Sequence, residues 1–193
     1  KNNIDDSFKS RIRIISNGIK IYDFDSSQIE SRFSNFTIGF VGRNSPEKRP
    51  ELFFELIKEL KIKAKAIGDD FENYKEEFPS VAYFENCNVE ELVRKQFSTI
   101  SLLIVSSSRE GFPLVIMEAM EQGIPVVSTN VGSISEHLID GQNGFLAPIE
   151  AREFAKSATK KIAQLENNRE LYFKLSLNAR EYAKSNFAIE NFN

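Results

Sequence analysis

At 193 residues the chain is long enough for one domain with a sizeable core and too short for two. A formal net charge of -3 argues against nucleic acid as a principal partner, and a single cysteine, Cys87, excludes a disulfide framework and suggests a reducing compartment. With no apolar run long enough to span a bilayer and no signal-peptide pattern, the chain is expected to be soluble and cytoplasmic.

The chain does not begin with Met, and its first ten residues carry no assignable element. Residues 36–41 form a β-branched and aromatic run ending at Gly42, which predicts a strand. Residues 50–60 place Leu52, Phe53, Leu56, Ile57 and Leu60 at helical spacing, an amphipathic helix. A strand over 64–67 stops at Gly68-Asp69-Asp70, and the two aspartates read as a turn and helix cap. Next come a helix over 71–78, a strand over 81–84, a helix over 89–97 and a strand over 102–105. A helix over 113–121, a strand over 125–128, a helical turn around 133–138 and a strand over 144–147 follow. Residues 152–165 and 169–185 read as charged amphipathic helices. Such alternation predicts an α/β fold, a Rossmann-like doubly wound parallel sheet with right-handed crossovers. Residues 1–34 read as a connection to another domain, 35–185 as the domain itself and 186–193 as a C-terminal tail.

The most informative stretch is Glu110-Gly-Phe-Pro-Leu-Val-Ile-Met-Glu118-Ala-Met. A strand ends upstream in Ser106, Ser107 and Ser108, and a helix starts near Pro113, a favoured first-turn residue. In an open α/β sheet that strand end is where ligands bind. The amides of Gly111, Phe112 and Leu114 at a helix start suit an anion, usually a phosphate. Glu118 could be a solvated helix residue, but its neighbours Ile116, Met117, Ala119 and Met120 fit solvent exposure poorly. A carboxylate held on such a helix needs a partner, and it can accept from two vicinal hydroxyls of a sugar. Arg43 and Lys48 lie on the loop after the first strand. They are either surface cations or phosphate ligands, a guanidinium fork and a mobile ammonium. Arg49 beside them reads as structural.

These segments resemble the retaining GT-B glycosyltransferases of the glycosyl transferases group 1 family, also called family 4. Glu110 and Glu118 match its Glu-x7-Glu signature, and Gly42-Arg43 with Lys48 its Gly-Arg-x4-Lys phosphate loop. Residues 128–148, with Asn130-Val131-Gly132, Glu136, Asp140-Gly141 and Asn143-Gly144, are similar to its next segment. Ile15-Ser16-Asn17-Gly18-Ile19 resembles the Asn-Gly-Ile piece that joins its two domains. The resemblance implies the C-terminal, nucleotide-sugar-binding half of a longer enzyme, inactive alone. It assigns Arg43 and Lys48 to the departing diphosphate, Glu110 to the donor sugar face and Glu118 to the ribose hydroxyls. Gly111, Phe112, Pro113 and Leu114 become the donor-binding helix start. Asn86 and Cys87 stand where the family usually has a Gly contacting the base, which leaves the nucleotide open. Gly132-Ser133 replaces a Gly-Gly pair, so a side chain could crowd the ligand.

The donor is then a UDP-, GDP- or ADP-sugar, with no cofactor and no metal. The resemblance implies that the acceptor is a glycan or lipid-linked acceptor of bacterial surface polysaccharide, bound by an N-terminal half that is expected to work at the inner face of the membrane. Richness in Asn, Ile, Lys and Phe points to an AT-rich bacterial genome. Two rival classes are a non-catalytic nucleotide-binding or scaffolding module and an NAD-dependent dehydrogenase domain. Against the dehydrogenase, Gly39-Phe-Val-Gly42 is not Gly-x-Gly-x-x-Gly. A GT-B epimerase or phosphorylase is a minor option, and no Schiff-base lysine is identifiable. Asp23-Phe24-Asp25 spells a metal-binding Asp-x-Asp but lies in the expected connection, and His137 reads as structural. One His and one Cys cannot make a zinc site.

Overall fold

A computed structural model describes residues 17–85 and 87–192, without the side chains of Arg94 and Phe192. Six strands run β1 (Thr37–Val41), β2 (Lys63–Ile67), β3 (Ala82–Phe84), β4 (Leu102–Val105), β5 (Val126–Thr129) and β6 (Phe145–Ala147). They form one sheet in the order β3-β2-β1-β4-β5-β6, and every pairing is parallel. That is the doubly wound Rossmann order, and its direction reverses between β1 and β4.

The helices are α1 (Ser27–Ser34), α2 (Pro50–Leu60), α3 (Glu72–Glu77), α4 (Val89–Glu91), α5 (Leu114–Glu121), α6 (Ile134–His137), α7 (Ala151–Glu166) and α8 (Arg169–Phe187). They cover both faces of the sheet, which is why Leu102 to Val105 is apolar and buried without alternation. On one face Ile38, Phe40, Leu102 and Ile104 pack with Phe53 and Leu56 of α2 and Phe154 and Ile162 of α7. On the other, Leu103, Val105 and Val126 pack with Ile116 and Met120 of α5 and Ala179 and Ala183 of α8. Gly39 sits in β1 because a Cβ there would lie 2.6 Å from Ile100 Cδ1. Packing, not cofactor approach, explains it.

Three local outcomes differ from the pattern-based expectation. Residues 27–34, expected to be connection, form α1, whose Ile29 joins the core. Only Ile29 and Arg32 of α1 are buried, too few to show a periodic apolar stripe. Asp25 starts this helix by accepting from Ser27 N (2.9 Å) and Ser27 Oγ (2.7 Å). The stretch expected as helix over 89–97 passes from α4 into a π turn, Leu92–Gln96, and a 3-10 turn, Phe97–Thr99. The π turn closes with Phe97 N donating to Leu92 O, five residues back, and both residues join the core. Asp70 takes the turn conformation at φ 66°, but the cap position of α3 belongs to Phe71, which makes no side-chain cap bond.

The segment before α1 and the end of α8 are tied to each other. Ile19 donates to Phe187 O at 2.7 Å and accepts from Ile189 N at 2.9 Å. A 3-10 turn, Ile189–Phe192, follows α8. Ile15 and Ser16 of the Asn-Gly-Ile piece lie outside the described residues, as does Asn86.

Candidate functional site

The carboxyl ends of β1 and β4, neighbours across the reversal point, open into two loops, 42–49 and 106–113. The first is shaped by Gly42 N on Ile67 O (3.0 Å), Asn44 Nδ2 on Asp70 O (2.6 Å) and a turn closed by Lys48 N on Ser45 O (3.0 Å). The second is stitched to it by Ser108 N on Glu47 O at 2.7 Å. The sheet thus brings together residues 62 apart in sequence: Lys48 Nζ donates to Glu110 Oε1 at 2.5 Å. Ser107 Oγ donates to the same oxygen at 2.7 Å. The pair is largely shielded from solvent, so it is screened less than a surface ion pair.

Arg43 does not join them. Its side chain is 73% exposed and its Nη2 lies 3.7 Å from Glu47 Oε1. Gly111 is exposed, and no hydrogen bond within the described residues occupies the amides of Gly111, Phe112, Leu114 and Val115. The first bonded amide is Ile116 N, on Pro113 O at 3.0 Å, and Pro113 at the N-cap position offers no side-chain cap. Free first-turn amides and the positive end of the helix dipole make this an anion-receptive surface. The Phe112 ring packs on His137 (4.6 Å between centroids) and Phe187 (5.4 Å), so it anchors the loop from behind. His137 belongs to that cluster, its Nδ1 3.2 Å from Tyr182 Oη.

Gly132 supports the loop from the other side. At φ 60°, a Cβ there would lie 2.1 Å from Glu110 O and 2.4 Å from Gly111 O. Ser133 takes part in the contact, its N and Oγ both on Gly111 O at 3.0 and 3.2 Å. Its side chain therefore braces the loop, in place of the crowding its size suggests. Asn143, buried, accepts from Ile139 N (2.7 Å) and donates to His137 O (3.0 Å), so it shapes the turn before β6.

Glu118 is 7% exposed on α5, among buried Ile116, Met117, Ala119 and Met120, which rules out a solvated helix residue. Its carboxylate accepts no hydrogen bond from the described residues, and burial, with Glu121 adding repulsion, pushes its pKa up to about 6. Glu121, unnoticed in the sequence, carries the same signal: a carboxylate on an apolar helix. Its outcome is opposite, because it is fully paired. Arg180 Nη1 bonds its Oε1, Tyr22 N donates to Oε1 (2.8 Å) and Gln122 Nε2 to Oε2 (2.6 Å). Cys87 is half-buried against the second core layer, and burial raises its thiol pKa. Among the described residues no group of His, Cys, Asp and Glu is placed to hold a metal ion.

The sequence pattern of the "Glycosyl transferases group 1" family matches residues 23–184. The uncharacterized glycosyltransferase MJ1178 of Methanocaldococcus jannaschii is 33% identical over 192 residues, 95% of this chain and 52% of that protein. The capsular polysaccharide biosynthesis glycosyltransferase CapM of Staphylococcus aureus is 28% identical over 194 residues, 90% of this chain and 50% of that protein. The crystal structure of Anabaena Alr3699/HepE in complex with UDP and glucose matches with a TM-score of 0.76 at 25% identity, over 94% of this chain and 54% of that one. The chain spans about half the length of the curated relatives it matches. It belongs to the glycosyl transferases group 1 family, and its Rossmann-like sheet is that of the GT-B glycosyltransferases.

Proposed function

We propose that this chain is the donor-binding, C-terminal half of a retaining, metal-independent glycosyltransferase. The observation that carries the reading is that the Lys48–Glu110 pair, the free amides at the start of α5 and the unpaired carboxylate of Glu118 lie on two adjoining loops and the helix that follows them. A nucleoside diphosphate sugar has groups for each. Its diphosphate meets Lys48 and the α5 amides, its ribose hydroxyls donate to Glu118, and the sugar lies along Glu110. When the bond from the sugar C1 to the diphosphate oxygen breaks, charge develops on the diphosphate, and donors already aimed there stabilise it. Arg43, exposed beside Glu47, turns onto the diphosphate once the donor is bound. Cys87 borders the base.

The complex of the Anabaena protein with UDP and glucose supports a nucleoside diphosphate and a hexose as ligands. The CapM relative, named for capsular polysaccharide biosynthesis, supports an acceptor in surface polysaccharide. No helix among the described residues is long and apolar enough to cross a membrane. The chain alone binds the donor and turns over no acceptor.

Calorimetric titration with UDP, GDP, ADP and NAD, without divalent metal, tests this beside Glu118→Ala and Lys48→Ala. The expected result is selective binding of one nucleoside diphosphate, weakened on the order of tenfold or more in each variant. Binding of NAD alone, or a strict requirement for a divalent ion, contradicts it.

A further inference from the structure

Arg49 follows Lys48 directly, at the entry to α2, and the donor chemistry above gives it no part. Its backbone is left-handed, φ 48° and ψ 55°, a conformation that strains any residue bearing a Cβ and that glycine adopts freely. Such strain persists where the surroundings hold the residue in place. Here the side chain does the holding. The guanidinium donates from Nε to Ser106 O at 2.7 Å, from Nη1 to Ile149 O at 2.7 Å and, longer, from Nη2 to Ser107 O at 3.5 Å. Those carbonyls belong to the loop after β4 and the segment after β6, so one side chain spans three loops at the carboxyl end of the sheet. Ser106 reciprocates, its hydroxyl shared between Lys48 O and Arg49 O at 2.9 Å each. Residues 48 and 49 are thereby locked against 106 and 107. The other side chains of the same two pairs, Lys48 and Ser107, both donate to Glu110 Oε1.

We propose that Arg49 is a positioning residue for the donor site, setting the β1 and β4 loops in register so that Lys48 faces Glu110. A planar fork with five donors meets several carbonyls at fixed angles, which a lysine ammonium on a flexible stem does not reproduce. The geometric part stands on the contacts alone; its consequence for ligand binding rests on the donor-site reading.

Two variants of the chain test it, R49G and R49K. R49G removes the guanidinium at a position where glycine is unstrained, and R49K keeps charge and length should R49G unfold; circular dichroism checks both. One readout is the exchange of the Lys48 ammonium protons with water by NMR, slow while Glu110 covers them. The other is calorimetry with UDP, GDP and ADP. Expected are folded variants, fast ammonium exchange and nucleotide affinity lowered on the order of tenfold or more. Millimolar guanidinium chloride restores affinity to R49G, which a merely structural role would not show. Slow exchange and unchanged affinity in both folded variants overturn the proposal. If the wild-type chain binds none of the three nucleotides, the donor-site reading fails, and ammonium exchange alone decides whether Arg49 holds Lys48 against Glu110.

Discussion

Glu118 and Glu121 lie on one short helix, both buried, and differ in what they are given. Glu121 has an arginine, a backbone amide and a side-chain amide; Glu118 has none of these. An uncompensated carboxylate is destabilising in its charged form. Its pKa of about 6 in the folded chain lies above the ordinary value of 4.5, so the folded state holds the proton longer than the unfolded state. Stability therefore falls as pH rises from about 4.5 to about 6 and stays lowered above that, by about 2 kcal/mol. Glu118→Gln removes the titration. It is expected to be more stable than wild type at pH 7.5 by roughly that amount and to lose the advantage below pH 4.5, as urea unfolding at several pH values would show. Nucleotide affinity in the wild type moves the other way, dropping as pH falls through about 6 and the carboxylate takes up its proton. The group that serves the ligand weakens the fold, a recurrent feature of binding sites.

α5 is held at its two ends by different means. Its first-turn amides are left unbonded among the described residues, while its end is fastened through Glu121 to Arg180 of α8, whose Nη2 also donates to Tyr22 O at 2.8 Å. That buried link joins the segment before α1, α5 and α8, so the helix bearing Glu118 is fixed to the segment that leads into the domain. Arg180→Ala leaves the buried Glu121 without its cation, and is expected to destabilise by about 3–5 kcal/mol in urea unfolding. Lys58→Ala is the contrast. It breaks an ion pair with Glu77 whose side chains are 71% and 57% exposed, and the expected loss is about 0–1 kcal/mol. Equal losses in the two variants would contradict the assignment of the Glu121–Arg180 pair as a fastening point.

The sheet does the long-range work, and this separates what the sequence reveals from what it conceals. Strands such as Leu102 to Val105 are legible because burial on both faces demands an unbroken apolar run, and strand–helix alternation then implies a parallel sheet. α1 is not legible, because two buried residues set no period. Within the site, Lys48 and Glu110 stand out as chemistry-bearing residues at strand ends, but their direct contact depends on β1 and β4 lying side by side. The grip of Arg49 on three carbonyls is invisible in sequence, since carbonyl acceptors carry no residue signature. The outward turn of Arg43 is equally hidden, set by Glu47 beside it. On the donor-site reading a nucleoside diphosphate lies against the β1 and β4 loops and the start of α5. Backbone amide NMR of the chain during titration with UDP tests it most directly. The largest shifts are expected at Gly111, Leu114, Val115 and Lys48, with smaller ones along α5. Saturable shifts confined to another face of the molecule, or none with UDP, GDP or ADP, would contradict it.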